Sequence, residues 1–189
     1  MNVHDLFHFE MYNEATHPGL LFLAILPDAN ARQQIYRMAG VIKRAHGLRG
    51  QLTARDRLHA TLFPLTDLPE AAVQKVCDVI AETKAEPFEV SFDCTTSFRG
   101  GRGSRPFVLT GANGLKRLKS FRRSLAMAFK GRGLGFLARR DFTPHVTLLF
   151  DDREVEEHPA GPVRWTVSEV VLIHSLGGHE HLARWPLDV

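Results

Sequence analysis

Two histidine–threonine pairs are the residues in this chain whose types and spacing suggest chemistry. The segments RLHATLF and FTPHVTLLF each hold a histidine, one intervening residue, a threonine and a leucine. Because side chains alternate between the two faces of a strand, His59 and Thr61 point the same way, as do His145 and Thr147. Two histidines can divide the roles of general base and general acid near neutral pH. Two hydroxyls can hydrogen-bond the oxygens of a phosphate, so the pattern predicts displacement at phosphorus without a metal.

The residues around each pair indicate how the pair is held. Strand alternation predicts that the neighbours of the first histidine and threonine point into a core. In the second segment it predicts that Leu149 shares the face of His145, while Leu148 and Phe150 lie on the opposite face. Pro144 is tolerated at the start of a strand. Each pair would therefore be exposed on a rigid surface.

The pairs recur within a repeated order of elements. Leu21 and Phe107 each lie in a predicted strand that a helix follows, and each precedes its motif histidine by 38 residues. This repeat predicts two lobes related by a pseudo-twofold axis, which would face the two pairs into one cleft. Hydrophobic periodicity predicts helices over 29–47, 68–84 and 114–132, strands over 19–27, 58–65, 88–98, 107–110, the second motif, 165–175 and 181–186, a glycine-rich turn over 99–106 and a polar loop over 151–162.

Bulk properties bound the class of protein. The 189 residues are 44% hydrophobic and carry a net charge of +3, which is compatible with a polyanionic partner. The two cysteines lack zinc-ligand spacing, and no apolar run reaches the roughly 20 residues of a membrane span. The N-terminus does not read as a secretory signal. We therefore expect a cytoplasmic, monomeric protein with an irregular arm over 1–18 and one bilobal domain over 19–189.

The two motifs resemble the paired HxTx motifs of the 2H phosphoesterase superfamily, and the similarity is greatest to its LigT-like branch. The resemblance runs over about 19–186 and includes the closing segments WTVSEVVLIHSL and ARWPL. It implies an α+β fold: a bilobal, duplicated structure whose antiparallel sheets line a central cleft, with helices outside. It also implies that His59, Thr61, His145 and Thr147 are catalytic, and that no cofactor is needed. Relatives often carry a basic residue shortly after the second motif, where this chain has leucine and phenylalanine.

The resemblance implies an RNA 2′,3′-cyclic phosphodiesterase that yields a 2′-phosphate and, in reverse, a 2′-5′ RNA ligase. We assign His145 as the general base on water and His59 as the general acid to the leaving 3′-oxygen. The partner would be RNA with a 2′,3′-cyclic phosphate end, such as a tRNA fragment. Two alternatives stay open: a non-catalytic RNA-binding module on the same scaffold, and a 2H phosphodiesterase acting on a small cyclic phosphate nucleotide.

A basic segment is the candidate contact for RNA. Residues 116–140 hold nine lysines and arginines and no acidic residue. This composition favours binding to the phosphate backbone of a nucleic acid. The plainer interpretation is a helix face exposed to solvent. A metal site at His179 and His181 is disfavoured because no third ligand is evident. The substrate-binding candidates are Arg99, Arg102, Arg122, Arg123, Arg139 and Arg140.

Overall fold

The described part of the chain forms eight β-strands, three α-helices and three short 3-10 helices. The structure is a computed structural model, and it describes residues 20–66, 68–99, 104–139 and 141–188. The expected N-terminal arm lies outside the described residues. In chain order the strands and α-helices are β1 (Leu20–Ile25), α1 (Ala29–Ala45), β2 (Ala60–Pro64), α2 (Glu70–Glu82), β3 (Phe88–Ser97), β4 (Arg105–Thr110), α3 (Lys116–Gly131), β5 (Val146–Asp151), β6 (His158–Val167), β7 (Glu169–Ser175) and β8 (His179–Pro186).

The strands form two four-stranded antiparallel sheets with matching order. The first sheet runs β2-β1-β7-β8 and the second runs β5-β4-β3-β6. The unit β1-α1-β2 in the first lobe corresponds to β4-α3-β5 in the second, and each motif strand is the edge strand of its sheet. The predicted α+β architecture with two related lobes is therefore confirmed. No helix in the described ranges is long and apolar enough to cross a membrane.

One apolar core joins the two sheets and the helices. Buried side chains from β1, β3, β4 and all three α-helices belong to the same cluster. Apolar residues at helical spacing explain this for α1, where Ala31, Ile35 and Ala39 are buried and the side chain of Asp28 caps the helix by accepting a hydrogen bond from the Ala31 amide. The opposite face of the first sheet carries a second, smaller cluster, which consists of Phe22, Ala24, Val171 and Ile173.

Both motif strands contain a β-bulge at the same place. Thr61 pairs with Ala24 and Thr147 with Val108, and in each case the register shifts at the next pair. Leu62 and Leu148 are the extra residues, so the next residue of each strand returns to the core side. The expectation that Leu149 shares the face of His145 is wrong for this reason: Leu149 is buried in the core.

The carbonyl oxygen of each bulge residue accepts a hydrogen bond from the other half of the molecule. The Nε of Arg122 in α3 donates to the carbonyl oxygen of Leu62 at 3.4 Å. The backbone amide of Thr53, in the connection between α1 and β2, donates to the carbonyl oxygen of Leu148 at 2.8 Å. A bulge interrupts the hydrogen-bond ladder of its strand. Here each bulge carbonyl accepts a hydrogen bond from the opposite half, so the two hydrogen bonds are reciprocal ties between the lobes.

A buried carboxylate adds a third tie. Asp151, at the end of β5, accepts hydrogen bonds from the amides of Arg49 (2.5 Å), Gly50 (2.7 Å) and Arg153 (2.9 Å). Burial alone would raise the pKa of this carboxyl, but the backbone donors outweigh it and lower the pKa to about 2. Gly50 lies so close to β5 that a Cβ atom there would be 1.8 Å from the carbonyl oxygen of Phe150.

Two predictions about the elements need correction. The predicted loop over 151–162 is limited to 152–157, because 158–162 belong to β6, and the predicted strand over 165–175 is divided between β6 and β7, which belong to different sheets. Pro159 and Pro162 fit in this strand because β6 is at the edge of its sheet, where proline is tolerated. The equal spacing of 38 residues is coincidental, because the register makes Leu23, not Leu21, the counterpart of Phe107.

Candidate active site

His59 immediately precedes β2, and its ring has a defined hydrogen bond. Nδ1 lies 2.8 Å from the backbone carbonyl oxygen of Arg57. A carbonyl oxygen can only accept, so Nδ1 carries the proton in this contact. In the neutral imidazole, Nε2 is then the basic nitrogen that can exchange a proton with a substrate.

His145 immediately precedes β5 and repeats this arrangement. Its Nδ1 lies 2.8 Å from the carbonyl oxygen of Thr143, again two residues earlier in the chain. The Thr110 hydroxyl fixes this approach by donating to the carbonyl oxygen of Pro144 at 2.8 Å. Both lobes therefore present a histidine of the same tautomer at the start of an edge strand.

The threonines of the two motifs occupy equivalent positions as well. Thr61 and Thr147 are partly exposed, and each precedes the bulge of its strand. The residues on either side of them, such as Ala60 and Leu62, are buried. Strand alternation thus leaves histidine and threonine together on the face away from the core.

The structure brings the two motif strands next to each other. Cα atoms of β2 and β5 approach within 8 Å. Leu52, which precedes β2, forms an isolated antiparallel bridge with Leu149 of β5. The edges of the two sheets therefore meet along the strands that carry the two histidine–threonine pairs.

The rings around the two histidines differ. Phe22 stacks on His59 with ring centroids 4.8 Å apart, and His179 meets the same ring edge-on at 4.9 Å. His145 meets Phe98, at the end of β3, edge-on at 4.9 Å. The pseudo-symmetric pair thus has unequal surroundings.

His179 is a candidate site residue that the sequence analysis missed. It was considered only as a metal ligand at a hairpin tip, but β8 pairs it with Ser175 on the face that also holds Val171 and Ile173. Burial, followed by the nearby His59, Arg57 and His181, lowers the pKa of His179 to about 3. The signal in the sequence was the alternation of His179 and His181, which predicts that both lie on one face of a strand.

The arginine candidates that the structure describes do not form one surface. Arg99 is exposed and directly follows Phe98, the ring that contacts His145. Arg123 is exposed on α3, whose apolar residues pack in the core beneath β2 and β5. Its guanidinium therefore lies on the opposite side of the sheets from the motif face. Arg102 and Arg140 lie outside the described residues, as does the side chain of Arg139.

Arg122 is not on an exposed basic face, and that expectation is wrong. It is buried, with its guanidinium carbon 4.6 Å from the ring centroid of Phe63 and 4.9 Å from that of Phe142. Its spacing of four residues from Leu118 and three from Leu125 places it on the apolar face of α3. Its described contacts are therefore structural.

A surface depression and the other polar side chains of the described residues offer no alternative site. A shallow depression of about 340 Å³ beside Phe88, Lys116 and Phe121 includes no residue of either motif. Within the described ranges, no three His, Cys, Asp or Glu side chains are arranged to hold a metal. His181 instead has its Nδ1 2.6 Å from a guanidinium nitrogen of Arg184.

Two antiparallel sheets that meet along strands with matching histidine–threonine pairs define a 2H phosphoesterase. Residues 26–179 match the 2′-5′ RNA ligase superfamily, and the chain belongs to this family. Comparison with curated protein sequences gives no match.

Solved structures of similar fold cover almost the whole chain. Apo LigT of E. coli is 28% identical with a TM-score of 0.63, over 92% of this chain and 100% of LigT. LigT of E. coli complexed with 3′-AMP is 27% identical with a TM-score of 0.65, over the same shares. A structure described as a phosphoesterase is 25% identical with a TM-score of 0.65, over 91% of this chain and 100% of that one. This chain is therefore similar to phosphoesterases along nearly its full length.

Proposed function

We propose that this protein is a cytoplasmic, monomeric RNA 2′,3′-cyclic phosphodiesterase that works without a metal and leaves a 2′-phosphate. Membership of the 2′-5′ RNA ligase superfamily supports phosphodiester chemistry of this kind. A similar protein, LigT, has been solved with 3′-AMP, which is consistent with a nucleotide at the cleft. The partner is the 3′ end of an RNA fragment, such as a cleaved tRNA.

The observation that carries the proposal is the mirrored hydrogen bond of the two histidines. In both, Nδ1 donates to the carbonyl oxygen two residues earlier, which leaves Nε2 as the nitrogen that exchanges protons. One imidazole on each motif strand is the arrangement needed for a base and an acid on opposite sides of one phosphorus.

In this mechanism His145 removes a proton from water, whose oxygen forms a bond to phosphorus. The bond from phosphorus to the 3′-oxygen breaks, and His59 delivers a proton to that oxygen. Thr61 and Thr147 donate hydrogen bonds to the non-bridging oxygens, whose charge increases in the transition state. When a 5′-hydroxyl of RNA replaces water as the nucleophile, the same steps form its bond to phosphorus and release the 3′-oxygen, which is 2′-5′ ligation.

The proposal is tested by incubating the protein with an oligonucleotide that ends in a 2′,3′-cyclic phosphate, with and without EDTA. We expect a 2′-phosphate product in both conditions, identified by its resistance to enzymes that remove only 3′-phosphates. Tight, salt-sensitive RNA binding without turnover would instead indicate a binding module. Loss of activity in EDTA, restored by zinc or manganese, would contradict a metal-free mechanism.

The position of α3 favours a second candidate, hydrolysis of a small cyclic phosphate nucleotide. The exposed cations of α3 lie on the opposite side of the sheets from the motif face, so they cannot touch a mononucleotide held by the histidines. Reversing the charge of two of them, Lys119→Glu with Arg123→Glu, separates the candidates. An RNA enzyme loses affinity for a long oligonucleotide but keeps its turnover of a 2′,3′-cyclic mononucleotide, whereas a mononucleotide enzyme is unaffected on both.

A further inference from the structure

His179, the first residue of β8, places its imidazole ring against the ring of His59. The rings of His179, His59 and Phe22 contact one another pairwise. Phe22 stacks on His59 at an interplanar angle of 29°, His179 meets it at 67°, and the centroids of Phe22 and His179 are 5.7 Å apart. The His59 ring is therefore constrained from two directions.

The strand register explains why His179 reaches this position. β8 pairs antiparallel with β7, which places His179 opposite Ser175 and His181 opposite Ile173. This is the face of the first sheet that carries the small cluster with Phe22. The connection contains Gly177, whose φ of 70° belongs to the left-handed region that favours glycine.

The surroundings of His179 keep its ring uncharged at neutral pH. Its Nδ1 is buried and has no hydrogen-bond partner among the described residues. Burial, then the neighbouring His59, Arg57 and His181, lowers its pKa to about 3. An uncharged ring can pack against His59 without repelling the imidazolium that forms when His59 holds a proton.

The outer strand of the second sheet also begins with a histidine, but that residue lies opposite Thr95, whose partner on β4 is the core residue Leu109. His158 is the first residue of β6, the outer strand of the second sheet, as His179 is of the first. Its ring nitrogens lie 3.2 and 3.3 Å from the hydroxyl of Thr95, and its ring stacks on His46. His158 therefore serves as a control, because it is a histidine that begins an outer strand but lies on the core side of its sheet.

We infer that His179 is a positioning residue for His59, which acts with Phe22 to hold the ring so that Nδ1 stays on the Arg57 carbonyl and Nε2 faces the reacting phosphate. This inference rests on the proposed function, in which His59 is catalytic. His179 acts through its ring and not through proton transfer, so an apolar ring can replace it.

Kinetics of three variants test this role on a 2′,3′-cyclic mononucleotide. His179→Ala removes the ring, and we expect kcat to fall about 10-fold with little change in KM, because a misplaced catalytic group costs rate more than binding. His179→Phe keeps a ring and retains most of the wild-type kcat. His158→Ala removes the histidine that begins the outer strand of the other sheet and leaves kcat unchanged. Equal losses in the alanine and phenylalanine variants, or no loss in either, would overturn the inference.

Ring ¹⁵N chemical shifts of His59 give a readout that needs no substrate. In the wild-type protein we expect the Nδ1–H tautomer, and in His179→Ala a mixture of tautomers, whereas His179→Phe keeps the wild-type signal. An unchanged tautomer in the alanine variant would contradict the positioning role. If His59→Ala retains full activity while His179→Ala still alters the tautomer, the proposed function fails and the positioning role stands. His179→Asn, which also lacks a ring, replaces the alanine variant if that variant does not fold.

Discussion

The tautomers of His59 and His145 are defined by hydrogen bonds to their own backbones. Each ring donates from Nδ1 to the carbonyl oxygen two residues earlier, an acceptor that the local turn into the strand supplies. In the proposed mechanism, the proton that each ring exchanges is therefore carried on Nε2. Because both histidines make the same backbone hydrogen bond, the different roles proposed for them must come from their unequal neighbours and from the position of the substrate.

Replacing either motif histidine with alanine should lower kcat/KM for a 2′,3′-cyclic nucleotide by about 10²–10⁴, the usual contribution of a general acid or base. His46→Ala, at an exposed histidine, is the control and should keep the wild-type rate. Initial rates over a range of pH measure the effect. Near-wild-type activity in either His59→Ala or His145→Ala would remove that histidine from the mechanism and refute the assignment of a base and an acid.

Arg122 and Arg123 are adjacent in sequence but should behave oppositely. Arg122→Ala removes two ring contacts and the donor to the Leu62 carbonyl, and we expect a loss of about 2–4 kcal/mol in the free energy of unfolding. Arg123→Ala changes an exposed side chain and should alter stability by less than about 0.5 kcal/mol. Urea denaturation compares the two variants. Equal stabilities would show that the buried contacts of Arg122 contribute nothing.

At the scale of the element, the end of β5 is joined to the chain after α1 through Asp151. The folded pKa of about 2 is below the ordinary value of 3.8, so the unfolded chain binds the proton more readily. The stabilisation is therefore present above pH 3.8 and is lost as the pH falls from 3.8 towards 2.

Asp151→Asn should lower the free energy of unfolding by about 1–2 kcal/mol at pH 7, with allowance for screening by solvent. The difference from the wild-type protein should shrink as the pH falls below 3.8. Denaturation at several pH values measures this, and Glu156→Gln, at an exposed carboxylate, is the control. A difference that is independent of pH would show that the charge of Asp151 plays no part.

The elements show what a sequence can and cannot reveal. Alternation and periodicity predicted that His59 and Thr61 share a face and that α1, α2 and α3 are helices, because these are properties of local spacing. The bulges at Leu62 and Leu148 could not be predicted, since a bulge is defined by the register with a partner strand. The contact of His179 with His59 was missed for the same reason, because it depends on which strands are neighbours in the sheet.

At the scale of the whole molecule, the two lobes share one core and three ties. The buried cluster includes residues of both sheets, and the donors to the bulge carbonyls come from the opposite half in each case. Neither lobe can therefore lose its structure without exposing apolar surface of the other.

The described part of the chain should consequently unfold in a single transition. Differential scanning calorimetry should give a calorimetric enthalpy equal to the van't Hoff enthalpy. Arg122→Ala should shift this transition to lower temperature without splitting it. Two resolved transitions, in either protein, would show that the lobes are independent.

The order of strands in the first sheet also bears on synthesis at the ribosome. The second sheet is built from neighbouring stretches of chain, whereas the first needs β7 and β8 beside β1 and β2. At common rates of translation, β7, the partner of β1 on that side, emerges roughly 6–22 s after β2. During that interval β1 has no partner strand on its open side. The strands of the second sheet are therefore all synthesised before the first sheet can be completed.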